Sequence, residues 1–216
     1  MLRVLRKGCH LVSPWANGRG ETLEVLRLER DGALLWRLSV ATVVEDGPFS
    51  LLPDLERCLT VISGEGFELE LDLERDPARA QGATEEAQGE LEGWPRPCRP
   101  LTPVYFSGAL PVRAARTGGR PSEDLNVMTR RGLPRPEVSP LAPLRAPLTL
   151  APREGELLCA LALGPLSLGA PGGARALSRL DVVVCDEPIT LLPAREGVRA
   201  GVVLIRAGVA GIYNLA

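Results

Sequence analysis

Proline occurs 20 times and glycine 23 times in 216 residues, and together they interrupt the chain along its whole length. Inside a helix a proline costs about 3 kcal/mol and a glycine about 1 kcal/mol relative to alanine, so few windows remain for helices of ordinary size. Short apolar runs survive between the breaks, at residues 22–28, 34–44, 58–62, 67–73, 102–106, 157–163, 180–185, 189–192 and 198–205. Their spacing predicts an all-β chain, a sandwich or barrel with turns between the strands. Residues 67–73, Phe-Glu-Leu-Glu-Leu-Asp-Leu, alternate strictly and predict a strand with one buried and one wet face. The run at 157–163 reads equally well as a strand or a buried helix.

Two scarcities narrow the chemistry. Lys7 is the only lysine and His10 the only histidine, so the basic residues are almost all arginine, which stays protonated and is no base near neutrality. Schiff-base, Ser-His-Asp or Cys-His catalysis would each rest on one residue near the N-terminus. One chain cannot supply a site of two or three histidines, and His10 reads most simply as an exposed or capping residue ahead of the first strand. The five cysteines show no C-x-x-C pair, which argues against a disulfide framework or a zinc finger; three of them, Cys58, Cys159 and Cys185, lie in apolar runs as small core residues.

Net charge is −2, from 25 basic and 27 acidic residues, and aromatic residues make up only 4%, so neither a phosphate-attracting field nor a base-stacking platform is expected. Nucleic acid is therefore not an expected partner. No apolar h-region follows Arg3, Arg6 and Lys7, and no stretch reaches the roughly 18 apolar residues of a membrane span. No membrane association is expected, and a reducing cytoplasm is the default location.

Composition also suggests an organisation. Residues 76–100 are rich in Ala, Gly, Gln, Glu and Pro and read as a long surface excursion. Residues 135–147, with Pro136, Pro140, Pro143 and Pro147, read as an extended polyproline-like connector. A first β-barrel is expected over 1–134 and a second barrel half over 148–216.

Polar residues gather at three places. Asn17-Gly18-Arg19-Gly20 forms a turn ahead of a strand, either an ordinary tight turn or a concavity of backbone N–H groups suited to an anion. In Trp36-Arg37-Leu38-Ser39-Val40-Ala41-Thr42 the period of two puts Arg37, Ser39 and Ala41 on one face and Trp36, Leu38, Val40 and Thr42 on the other. An arginine in so apolar a strand needs water, a carboxylate partner or an anionic ligand. Arg57 heads the next apolar run, and Arg37, Arg57 and Asn17 could grip a small organic acid if the strands bring them to one mouth, since two guanidinium N–H groups match two carboxylate oxygens. The third cluster, Asn126-Val127-Met128-Thr129-Arg130-Arg131-Gly132, reads otherwise as a solvated strand end. Nucleophile-elbow, Ser-x-x-Lys, P-loop and dinucleotide-binding spacings are all missing.

Taken in order, these stretches resemble the HutD/Ves family of cupin-like proteins. The resemblance is carried by Trp15-Ala16-Asn17-Gly18-Arg19-Gly20-Glu21-Thr22, by Arg37-Leu38-Ser39-Val40-Ala41, by Asp46-Gly47-Pro48-Phe49-Ser50 and Arg57, by Gly64-Glu65-Gly66, and by Phe106-Ser107-Gly108 leading to Asp124-Leu125-Asn126-Val127-Met128-Thr129-Arg130-Arg131-Gly132. It implies a bicupin, two cupin-like β-barrels of the double-stranded β-helix type packed in one chain, with a pocket at a barrel mouth. It also implies a metal-free site without cofactor, and a link to histidine utilisation through an intermediate such as urocanate or N-formylglutamate, or to stress responses in the Ves branch. The family's pocket motifs fall on Asn17, Arg37, Ser39, Phe49, Arg57, Asn126 and Arg131. Where the family usually shows Phe-Pro-Gly, this chain has Leu52-Pro53-Asp54, so an inward-turned Asp54 would neutralise Arg57.

Two functions follow as expectations, besides a purely structural interaction role. The favoured one is a non-catalytic binder with no catalytic residue, in which Arg57 and Arg37 hold the carboxylate of a small anionic metabolite and Phe49 packs on its apolar part. The other is a metal-free isomerase or hydrolase acting on a small carboxylic acid, with Glu21 or Asp46 as base. A homodimer is compatible with either.

Overall fold

Residues 1–14, 21–75, 93–141, 143–170, 173–193 and 200–208 are described by a computed structural model. In chain order the first strands are β1 (Leu2–Leu5), β2 (Leu11–Pro14), β3 (Glu21–Arg30), β4 (Ala33–Val43), β5 (Gly47–Pro48), β6 (Leu55–Ser63) and β7 (Phe67–Leu71). Then come β8 (Arg96–Cys98), β9 (Val104–Ser107), β10 (Val112–Ala115), β11 (Ser122–Arg130), β12 (Glu137–Leu141) and β13 (Leu148–Leu150). The last are β14 (Glu156–Ala162), β15 (Leu166–Gly169), β16 (Arg175–Leu177), β17 (Val182–Cys185), β18 (Ile189–Pro193) and β19 (Val202–Gly208). Helical structure among the described residues is limited to 3-10 turns at Lys7–Cys9 and Leu73–Arg75. The expected all-β, cupin-like fold is what the chain adopts.

The strands form two compact units. One comprises Val12–Glu24 and Trp36–Arg131, the other Met1–Leu11, Val25–Leu35 and Gly132–Ala216. In the first, a six-stranded sheet in the order β2-β3-β4-β11-β6-β9 accompanies a four-stranded sheet in the order β5-β10-β7-β8. Between them lies a core that includes Val43, Leu59, Val61, Phe67, Leu69, Val104, Phe106 and Val112, joined by Phe49, Leu71 and Trp94. Each fully buried side chain of this size contributes about 1.5–3 kcal/mol. The alternation of residues 67–71 is realised as expected, with Phe67 and Leu69 in the core and Glu68 and Glu70 half-exposed.

The second unit pairs a five-stranded sheet, β1-β17-β14-β19-β12, with a four-stranded sheet, β13-β18-β15-β16. Its core gathers Leu158, Ala160, Leu166, Leu168, Val183, Leu191 and Val202, with Leu2 and Val4 against it. The ambiguous run at 157–163 is the strand β14, hydrogen-bonded to β17 on one side and β19 on the other.

Three expectations need correction. Residues 135–147 do not form a polyproline connector, because β12 lies there and pairs with β19, Pro140 opposite Val203. Proline lacks the N–H that an inner strand must donate, and β12 tolerates it as the outermost strand of its sheet. The division at 134 and 148 also shifts, since β1 lies along β17 and residues 1–11 belong with the C-terminal unit. His10 follows β1 and is buried rather than exposed, its Nε2 at 2.9 Å from the Leu180 carbonyl oxygen, while its backbone N–H caps the 3-10 turn by donating to the Lys7 carbonyl, as the capping alternative expected. Residues 76–92 of the expected surface excursion lie outside the described residues, while Arg96–Cys98 adds a strand beside β7.

Candidate functional site

The six-stranded sheet lays the polar residues out in rows. In antiparallel pairs, residues opposite each other share a face and stand about 4.5–5.5 Å apart. Across β4, β11, β6 and β9 one row runs Arg37, Met128, Arg57, Phe106, the next Ser39, Asn126, Leu59, Val104, and a third Ala41, Asp124, Val61. The period-two face read from the sequence for Arg37, Ser39 and Ala41 is therefore the face of these rows. It opens into a pocket of about 350 Å³ whose lining includes Arg37, Ser39, Phe49, Arg57, Asn126 and Met128. Among the described residues this lining contains no His, Cys, Asp or Glu, and the only ionisable groups in it are the two guanidiniums.

Arg57 is the centre of the site. It is only 4% exposed, and its guanidinium carbon lies 5.2 Å from the Phe49 ring centre and 5.0 Å from that of Phe106. Cation–π attraction of this kind, worth about 0.5–2 kcal/mol per ring, fixes the plane of the guanidinium while leaving its edge free to donate. Phe49 is braced by stacking on Phe67 at 6.3 Å, and Phe106 by an edge contact with Trp94 at 6.4 Å. Arg57 Nε donates to Asn126 Oδ1 at 3.3 Å and a terminal nitrogen donates to the Ser50 carbonyl at 3.3 Å. Both acceptors are neutral. Burial draws the Arg57 pKa down to about 10, against the opposing pull of Asp124 and with a further lowering from Arg37.

Arg37 combines the two roles left open by the sequence. Its Nε donates to Glu24 Oε2 at 2.7 Å, a partly buried ion pair, and its side chain still borders the pocket. Behind Asn126 lies a group that the sequence reading did not single out. Asp124 is fully buried, its Oδ1 accepts from Asn126 Nδ2 at 3.2 Å, and burial pushes its carboxyl up to about 7 against the pull of Arg57 and the Asn126 hydrogen bond. The signal was present in part: an aspartate two residues before Asn126 shares its strand face, so a reading that picks out Asn126 by the period of two also picks out Asp124.

The other expected residues divide. Asn17 lies outside the described residues. Arg131 does not reach the pocket; it is exposed and donates to Glu56 Oε1 at 3.0 Å and to the Ser107 hydroxyl. Arg131→Ala is accordingly expected to cost at most about 1 kcal/mol in a urea melt and to leave pocket binding unchanged. Asp54 is exposed and absent from the pocket lining, so the carboxyl facing Arg57 is Asp124 and not Asp54. Neither expected base lines the pocket: Glu21 is exposed, and Asp46 accepts from the backbone N–H groups of Arg116 and Thr117 and from the Thr117 hydroxyl. Those Thr117 and Arg116 hydrogen bonds hold the Asp46 carboxyl below its usual range. Phe49 borders the pocket as expected, but one face of its ring is taken by Arg57.

Known proteins share this fold. Protein Ves of Cronobacter sakazakii is 32% identical over 127 residues, which is 59% of this chain and 60% of that protein's length. A conserved protein of unknown function from Pseudomonas aeruginosa PAO1 superposes with a TM-score of 0.73 at 25% identity, covering 95% of this chain and 97% of that one. HutD from Pseudomonas fluorescens SBW25 superposes with a TM-score of 0.68 at 21% identity, covering 96% of this chain and all of that one. The HutD family model spans residues 10–200, taking in every strand that builds the pocket, and on that match this chain belongs to the HutD family.

Proposed function

We propose that the protein is a non-catalytic, metal-free binder of a small organic acid of the urocanate or N-formylglutamate type, acting as a HutD-like modulator of histidine utilisation. The observation that carries this reading is Arg57: a buried guanidinium, fixed between two aromatic rings, at a pocket whose described lining holds no carboxylate to neutralise it. A ligand carboxylate can accept from its free N–H groups, and Ser39 and Asn126 offer further polar contacts beside it. Two guanidiniums and no anionic or imidazole donors favour an anion over a metal cation. A pocket of about 350 Å³ falls at the small end of ligand sites and suits a metabolite.

Titration calorimetry with urocanate and with N-formylglutamate tests the reading. Saturable heat with either supports it, and no heat with both counts against it. Because Glu24 already shares the charge of Arg37, Arg37→Ala is expected to weaken binding only about tenfold, or ~1.4 kcal/mol. Purified protein should leave both compounds unchanged over hours, as followed by chromatography.

A further inference from the structure

Asp124 is fully buried between Ala41 and Val61 in its row, and its Oδ2 has no hydrogen-bond partner among the described residues. Burying a carboxyl so incompletely satisfied is costly, and this one sits beneath the pocket in the row next to Ser39 and Asn126. The Asn126 amide joins it to Arg57: Nδ2 donates to Asp124 Oδ1 at 3.2 Å, which turns Oδ1 of Asn126 toward Arg57 Nε at 3.3 Å. The order cannot be reversed while Asp124 is ionised, since a carboxylate only accepts and a guanidinium only donates. The charged and titratable groups around this chain of contacts are Arg57 on β6, which acts on Asp124 directly, Arg37 on β4, which acts on Arg57, and Cys98 on β8, whose thiol is raised by burial and then by Asp124.

We infer that Asp124 is a positioning residue for the pocket: through Asn126 it sets the orientation of the Arg57 guanidinium, and through its own charge it sets how strongly Arg57 attracts an anion. The inference rests on the carboxylate-binding reading given above. An ionised Asp124 and a ligand carboxylate draw on the same guanidinium in a low-dielectric interior, so each weakens the other's hold. A protonated Asp124 leaves the positive charge to the ligand. Binding an anion thus raises the affinity of Asp124 for its proton, and by reciprocity anion affinity falls as pH rises through the Asp124 titration. Burial places that titration near neutrality, where the change of charge takes effect.

The test has a ligand-free arm and a ligand arm. In the first, the Arg57 Nε–H resonance is followed by NMR from pH 5 to 9 in the wild type and in Asp124→Asn, whose amide mimics the protonated acid. It is expected to move with a midpoint near 7 in the wild type and to stay still in the variant. In the second, calorimetry with N-formylglutamate, whose carboxyl groups titrate well below this window, is run at pH 6 and pH 8. Wild-type affinity is expected to drop about tenfold between the two, while Asp124→Asn binds equally at both. A wild-type resonance that does not move, or one that moves alike in both proteins, overturns the inference whether or not a ligand binds. Movement without heat from N-formylglutamate or urocanate at either pH supports the link from Asp124 to Arg57 and overturns the carboxylate reading instead. Should Asp124→Asn fail to fold, the wild-type titration of Arg57 decides alone.

Discussion

Arg57→Ala is expected to abolish measurable binding of urocanate and N-formylglutamate, and to destabilise the protein more at pH 8 than at pH 5. Removing the buried partner of a ligand charge typically costs 2–5 kcal/mol, about 30- to several-thousand-fold in affinity. The same truncation strips Asp124 of the nearby positive charge that favours its ionised form. Leaving a buried charge uncompensated costs about 3–5 kcal/mol when the group is ionised. The sign follows from the carboxyl: its folded value lies above its unfolded one, so its contribution to stability is full below the ordinary carboxylate range and is lost as pH rises through the folded value. Without Arg57 that folded value rises further, and the loss deepens above neutrality. Urea melts at both pH values read this out, and Arg57→Lys, which restores charge without the planar fork, is expected to recover stability more than affinity. An equal loss at pH 5 and pH 8 would show that Arg57 does not act on Asp124.

The second large effect is expected at the turn that joins β6 to β7. Gly66 has φ +91°, and a Cβ added there would stand 2.1 Å from the Cys98 carbonyl oxygen, which belongs to backbone and cannot swing away. Its N–H donates to the Ser122 hydroxyl at 3.0 Å, tying the turn to the start of β11. Gly66→Ala therefore combines a left-handed backbone, about 1–2 kcal/mol, with an overlap that must push β8 aside, about 1–3 kcal/mol. At about 2–4 °C per kcal/mol for a chain of this size, the thermal midpoint is expected to fall by roughly 10 °C. Gly32→Ala is the control: φ is +74° but nothing lies within 4 Å of the added carbon, so only the backbone part should appear. Equal melting shifts in the two variants would contradict this account.

The sequence made the face of β4 legible because a period of two is a geometric property of any strand, and Arg37, Ser39 and Ala41 stand out on it against Leu38 and Val40. Arg57 was legible as a charge at the head of an apolar run. β11 was harder. Its Asp124, Asn126, Thr129 and Arg130 give it the look of a solvated strand end, yet its residues pair with β4 on one side and β6 on the other. Asn126 is accommodated there by Asp124 on its own strand and by Arg57 on β6, and a bond to a neighbouring strand is invisible in a linear reading. Arg131 shows the converse: adjacent in sequence to the site strand, it falls just past the end of β11 and turns outward to Glu56. β12 escaped because proline weighs against a strand in any local reading, whereas its real cost depends on whether a neighbour asks for the missing N–H.

That last point extends beyond β12. Pro14, Pro48, Pro97 and Pro140 lie in β2, β5, β8 and β12, each the outermost strand of its sheet. An exposed margin is a template on which a foreign chain can lay a further strand, and a proline there removes one donor and bends the rest out of register. The residue that fragments this sequence into short runs thus also stands at four sheet borders, where it withholds a donor that an added strand would need.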